Sequence, residues 1–268
     1  MKAEAVSTTM PHATEVFKNN GAAPIFAELD SACAELIEGF ATLPEYQPLD
    51  LPPELCNVVG TYGANELSMC TTAFKARGIA LGRVALIRGE GTWITNMVAF
   101  PADGYTSPIL GIELLVFREK MHLIAADMFP LVASDEDAMD NIAPPFDNVG
   151  PDPEMKSSAR KIFSRRPIFR RPGETPALDI GVAAMREVGA AWLTRARAAQ
   201  PETNPDIVER IILARADYIK SHLEDEPANP FLKRAFGEEI GGRLVNEILF
   251  PTVHWKTLTT ENQNGQRS

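Results

Sequence analysis

The spacing of apolar residues changes twice along the chain, from helical to alternating and back to helical. Over residues 24–43, PIFAELDSACAELIEGFATL, Phe26, Leu29, Cys33, Leu36 and Phe40 recur at helical intervals, which predicts an amphipathic helix. The LPPEL segment that follows breaks the period. From about 57 to 130 the pattern is that of strands: CNVVGTY, ELSMCTTAFKA, IALGRVALIRG, TWITNMVAF, ILGIELLVF and HLIAADMF. The turns between them, such as GEG, PADGYTSP and REK, suit hairpins and leave no room for crossover helices, so a doubly wound parallel sheet is excluded. Residues 131–156 are rich in Asp and Pro and predict an irregular surface loop. Helical spacing returns at about 178–199, 204–223 and 230–248, the second opening on Asn204-Pro205 as N-cap and first-turn proline. One helix, then strands, then helices predicts an α+β fold: a single domain over 22–255 with helices packed on a mainly antiparallel sheet. Flexible tails are expected at 1–21 and 256–268.

One strand carries an anomaly. In GIELLVF (111–117), alternation puts Ile112, Leu114 and Val116 on one face and Glu113, Leu115 and Phe117 on the other. A carboxylate therefore stands in an apolar stripe, where an unpaired charge is costly. Three explanations fit: a cationic partner across the sheet, a water-facing edge, or an acid that faces a ligand.

Composition narrows the chemistry. Apolar residues make up 45% of the chain and charged residues 23%, as in an ordinary soluble globular protein. No apolar run approaches the roughly 18 residues of a membrane span, and no signal-peptide pattern opens the chain. The three cysteines, Cys33, Cys56 and Cys70, lack CxxC spacing, which suggests neither a disulfide framework nor a zinc site and points to a reduced, cytoplasmic setting. His12, His122, His222 and His254 form no HxH or HExxH pair, and no P-loop or GxGxxG follows a strand. A redox enzyme built from this chain takes its electrons from a separate protein. Net charge is −10, against general nucleic-acid binding. Yet Lys156 to Arg171, KSSARKIFSRRPIFRR, holds seven positive charges and no negative one. It is a solvated basic loop, a dock for an acidic partner, or an anchor for ligand carboxylates.

At this point the chain resembles a known family. FPADGYTSPILGIELLVFREKMHLIAADMFPL (100–131) is similar to the core of the ferredoxin-dependent bilin reductases, with their Phe-Pro, Pro-x-x-Gly-x-Asp-Leu and Asp-x-x-Pro-Leu elements. EDEPANPFLKRAFGEEIGGRLVNEILFP (224–251) resembles the family's Asp-Pro-Ala, Phe-Gly and Leu-Phe ending, and FSRRPIFRR (163–171) its Phe-Ser-Pro segment ending in Arg. The matches run in order over roughly 25–251. The resemblance implies an α/β/α sandwich with a bilin pocket between sheet and C-terminal helices. It implies reduction of biliverdin IXα, or of 15,16-dihydrobiliverdin, to a phycobilin by electrons from reduced ferredoxin, in a monomer with no bound metal or flavin. Ferredoxin and the bilin are the implied partners, with haem oxygenase or a bilin acceptor protein as a further one, and neither nucleic acid nor membrane.

The same resemblance implies site residues. Glu113 and Glu226 stand where the family has catalytic aspartates, each with one more methylene; the related red chlorophyll catabolite reductases carry glutamate at the place of Glu113. Asn96, in WITNMVAFP, stands where phycocyanobilin-forming members have histidine and phycoerythrobilin- or phytochromobilin-forming members have asparagine. Desolvation against Leu115, Phe117 and the pigment is expected to keep Glu113 protonated as a proton donor. Arg165, Arg166, Arg170 and Arg171 are candidates for the two propionates, Arg171 foremost; Lys156, Arg160 and Lys161 are candidates for ferredoxin docking. Asp127 is read as structural, accepting backbone hydrogen bonds at a strand end. Two other functions stay open: a non-catalytic bilin or haem carrier, and a reductase of an opened chlorophyll catabolite.

Overall fold

The computed structural model describes residues 24–149, 160–173, 177–224 and 228–250. A 3₁₀ turn (Pro24–Phe26) leads into α1 (Ala27–Ala41), whose Leu29, Ala32, Cys33, Leu36, Ile37 and Phe40 are buried at the spacing read from the sequence. After β1 (Gln47–Leu49) and the short α2 (Pro53–Cys56) come β2 (Asn57–Tyr62), β3 (Asn65–Ala76), β4 (Ile79–Gly89), β5 (Thr92–Pro101), β6 (Ile109–Phe117) and β7 (Lys120–Phe129). β8 (Ile168–Arg170) completes the sheet; α3 (Leu178–Ala198), α4 (Pro205–Glu224), α5 (Ala228–Phe236) and α6 (Glu238–Arg243) follow, the last running into a π-helical turn at Leu244–Leu249.

Every pairing is antiparallel, in the order β1-β3-β4-β5-β6-β7-β8, with β2 sharing the β3 edge beside β1. The β4–β5 turn uses Gly91 at φ 61°, a left-handed conformation that glycine adopts without a Cβ penalty. The β6–β7 turn places Arg118 and Glu119 in the same region.

Both sheet faces are covered, as an α/β/α sandwich requires. Leu110, Ile112, Leu114 and Val116 of β6 join Trp93, Met97, Ile124 and Met128 in a core closed by α1 and α3. Burying side chains of this size stabilises by about 1.5–3 kcal/mol each. Trp192 of α3 is fully enclosed there, with its indole N–H donating to Pro108 O at 2.9 Å. On the opposite face, one cluster forms under α5, α6 and the π turn, and another under α4.

Three local expectations change. β1 and β8 are three-residue strands, too short to show an alternation. The stretch expected as surface loop after 131 turns inward, and Met139, Ala143 and Phe146 belong to the α1–α3 core. The helix expected over 230–248 is interrupted at Gly237, whose φ of 88° ends α5 and begins α6.

Candidate active site

The anomaly in β6 resolves at this second face. Ile112, Leu114 and Val116 are buried beneath α3, whereas Glu113, Leu115 and Phe117 line a cavity of about 570 Å³ between the sheet and the C-terminal helices. That volume lies within the range of about 300–1,000 Å³ usual for small-molecule sites. Its floor is β3–β7, with Met69, Ala85, Ile87 and Ile94 supplying apolar surface; Phe231, Leu232 and Leu249 roof it. At the β6–β7 pair the register shifts after Leu115, so that His122 and Leu123, though consecutive, both reach the cavity.

Polar groups in this chamber are few and placed by the register. Asn96 of β5 is the direct cross-strand partner of Glu113, so amide and carboxyl stand side by side on the floor, each half-buried. Behind Asn96 lies Arg83 of β4, only 2% exposed. Its Nη2 donates to Asn96 Oδ1 at 2.7 Å and its Nη1 to Asn96 O at 3.1 Å, while Nη2 also lies 3.5 Å from Leu249 O in the roof. Arg171, exposed and just beyond β8, lines the cavity together with Gly173.

The basic stretch divides. Arg170 turns to the α1–α3 side with Ile168, donating to Phe146 O at 2.9 Å and pairing with Asp147 at 3.0 Å. Arg166 pairs with Asp147 at 3.1 Å and Arg165 with Asp140 at 2.5 Å. None of the three belongs to the cavity lining, so within the described basic stretch Arg171 is the arginine that shares the cavity with Asn96 and Glu113. Arg160 and Lys161 are exposed. Glu226 and Lys156 lie outside the described residues.

Asp127 is buried in β7 and accepts from both the backbone N–H and the hydroxyl of Ser164, which ties the 160–164 segment to the sheet. Burial pushes its carboxyl up to about 6 against the lowering effect of those bonds. His222 of α4 stacks on Phe250, ring centroids 4.7 Å apart, and burial followed by the Arg83 charge lowers its pKa to about 4. Sequence reasoning missed Arg83 and His222. Arg83 carried the same signal as Glu113, a charge inside the apolar strand IALGRVALIRG. His222 carried none, because apart from Tyr218 on its own helix its partners come from β4 and from residues beyond α6.

A mostly apolar chamber lined by a carboxyl, an amide, an imidazole and an arginine has the shape and chemistry to take a largely apolar ligand with a few polar ends. The chain belongs to the ferredoxin-dependent bilin reductase family, whose model matches residues 33–251. It is 28% identical over 209 residues to the 15,16-dihydrobiliverdin:ferredoxin oxidoreductase of Nostoc punctiforme, a match covering 75% of this chain and 85% of that protein. It is 32% identical over 170 residues to the enzyme of the same name from Gloeobacter violaceus, covering 60% and 69%. With the phycoerythrobilin:ferredoxin oxidoreductase of Nostoc punctiforme it shares 27% over 205 residues, covering 72% and 80%. The fold matches that of phytochromobilin synthase from tomato, solved in complex with biliverdin, with a TM-score of 0.67 and 20% identity over 83% of this chain and 81% of that one.

Proposed function

We propose that this protein reduces an open-chain bilin, biliverdin IXα or 15,16-dihydrobiliverdin, with electrons from reduced ferredoxin, and that the cavity over Glu113 is where the bilin binds. The observation that carries the reading is the placement of Glu113 beside Asn96 on the floor of an apolar chamber of about 570 Å³. Each double bond reduced takes two electrons, delivered singly, and two protons. The protein's part is to enclose the pigment, exclude bulk water and offer acids at chosen positions. Glu113 gives one proton to the reduced tetrapyrrole, Asn96 offers hydrogen bonds beside it, and Arg171 holds a propionate at the rim. Glu226 is proposed as the second acid on the resemblance alone. Asn96 in place of histidine favours a product outside the phycocyanobilin group.

The test is an anaerobic turnover with biliverdin or 15,16-dihydrobiliverdin, reduced ferredoxin and chromatographic identification of product. Consumption of one bilin with a defined phycobilin as product is expected, at one pigment bound per chain. A shifted pigment absorption without consumption of either bilin would make the protein a carrier instead.

A further inference from the structure

Behind Glu113 and Asn96 lies a second, smaller cavity of about 60 Å³. Both residues belong to the linings of both cavities, so their side chains form the partition between them. On the far side the walls carry Arg83, Asp127, Tyr218 and His222, and the half-buried Phe129, Ile162 and Phe163 border it.

Room for this chamber comes from Gly111. In the β6–β7 register Gly111 pairs with Asp127 and Glu113 with Ala125, so Gly111 lies between the two carboxyls on the same sheet face. Its φ is not in the left-handed region, and a Cβ there would meet only Tyr218 Oη, at 3.5 Å. Neither backbone conformation nor close packing calls for glycine at this position. What the missing side chain leaves is a lane. About 60 Å³ holds about two waters, and a water needs two to four polar partners, which this lining supplies.

We propose that this chamber is the proton-return route to Glu113, a water-filled lane along Gly111 from Asp127 and the 160–164 segment to the rear of the Glu113 carboxyl. The inference rests on Glu113 being the acid of the proposed function. When Glu113 protonates the reduced pigment, its O–H bond breaks and a carboxylate remains, with the pigment covering its cavity side. Renewal therefore comes from behind. A chamber water gives its proton to Glu113, the Asp127 carboxyl gives one to that water, and solvent entering past the half-buried Phe129, Ile162 and Phe163 restores the buried Asp127. Bonds to hydrogen are exchanged with no change of oxidation state; the electrons come from ferredoxin. The raised pKa of Asp127 suits it to release and regain a proton near neutrality. His222, neutral in that range, adds no charge, and Arg83 is the fixed cation of the lane.

Gly111→Ala tests this. One methyl fills much of the lane while making only an ordinary contact. In rapid-mixing single-turnover experiments bilin affinity and the first protonation should match the unmodified protein, since Glu113 starts loaded. Later proton-dependent steps should slow about tenfold or more, with a larger solvent isotope effect. Gly111→Ser is bulkier but carries a hydroxyl that can pass a proton, so it should be faster than Gly111→Ala; mere distortion of β6 would make it slower. Unchanged later steps and isotope effect in Gly111→Ala, or serine slower than alanine, overturns the route. So does a Gly111→Ala protein that fails to fold, because the space would then not be open. Glu113→Gln with full activity removes the underlying acid assignment and this route together, whereas the Gly111 results bear on the route alone.

Discussion

The Asn96 side chain gives its oxygen to Arg83: Nη2 of the guanidinium donates to Oδ1 at 2.7 Å. A guanidinium can only donate, so the pairing fixes which way the amide points and leaves its nitrogen for the cavity side. With the bilin where the proposed function puts it, that N–H is a donor for the pigment. Asn96→Asp keeps the shape and its attraction to Arg83 but has no N–H. It should fold, and should bind biliverdin about tenfold more weakly, the size of one lost hydrogen bond, in absorption titrations. Arg83→Met takes the donor from Oδ1 and should lower stability in denaturant unfolding by about 1–3 kcal/mol. Unchanged affinity in Asn96→Asp would mean that the amide nitrogen contacts no ligand.

Glu113→Gln preserves size and hydrogen bonding while removing the transferable proton. Turnover should fall by about a hundredfold or more with bilin affinity nearly unchanged, because the loss falls on a step made only during reaction. Glu113→Asp should keep part of the activity, with a shorter reach from the same strand position. Loss of folding in Glu113→Gln would instead indicate a structural ion pair.

Arg170 and Arg171 are neighbours with opposite expectations. Arg170 is buried and holds Phe146 O and Asp147, so Arg170→Ala should destabilise the fold by about 2–4 kcal/mol. Arg171 is exposed at the cavity rim, so Arg171→Ala should leave unfolding unchanged and weaken biliverdin binding at every salt concentration. Chemical denaturation and bilin titration on both variants separate the two roles. A destabilised Arg171→Ala with normal affinity would remove Arg171 from the ligand site.

Much of this was legible because strand alternation is local. The hairpin order from β2 to β7 and the shared face of Glu113, Leu115 and Phe117 follow from period-two patterning and short turns. Asn96 beside Glu113 is a matter of register, which the turn between β5 and β6 is too long to dictate. The basic stretch misleads for a related reason. Its partners Asp140 and Asp147 come from a loop with no periodicity, so seven like charges read as one patch although three are paired. The break at Gly237 was written as one of three glycines, with Gly241 and Gly242, within a helical pattern, and only its φ shows that the helix is interrupted there.

His222 and Asp127 pull acid stability in opposite directions. The folded-state pKa of His222 is lowered from 6.5 to about 4, so the unfolded chain binds the extra proton between those values. Its contribution is full above about 6.5 and is lost as pH falls toward 4. Asp127 is raised from 3.8 to about 6, so the folded chain binds the extra proton and stability is lost as pH rises through that window. The two slopes nearly cancel in the unmodified protein. His222→Phe, which keeps an aromatic ring against Phe250, should expose the Asp127 slope: its stability relative to the parent should rise by about 2–3 kcal/mol between pH 6.5 and 4. Denaturant unfolding across that range is the measurement. Parallel pH profiles for the two proteins would show that His222 is not held neutral.

The last expectation concerns ferredoxin. Arg165, Arg166 and Arg170 are matched by Asp140 and Asp147, which leaves Arg160, Lys161 and the rim residue Arg171 as the exposed cations of the described basic segment, and Arg160 and Lys161 are the two expected to meet an acidic partner. The two belong to the 160–164 segment that Ser164 ties to Asp127, on the side of the sheet away from α1. Attraction between exposed charges acts mainly on encounter and is screened over about 8 Å at physiological salt. Turnover with limiting ferredoxin should therefore fall steeply as salt rises, while bilin affinity changes little. Arg160→Glu with Lys161→Glu should reproduce the high-salt rate at low salt, and adding Lys156→Glu should deepen the effect. The triple reversal leaves Arg171 in place, so any loss of bilin affinity in it would point to misfolding rather than docking. Salt-independent kinetics with full activity in the triple reversal would move the ferredoxin site elsewhere, and the basic cavity rim around His122 and Arg171 would be the next surface to test.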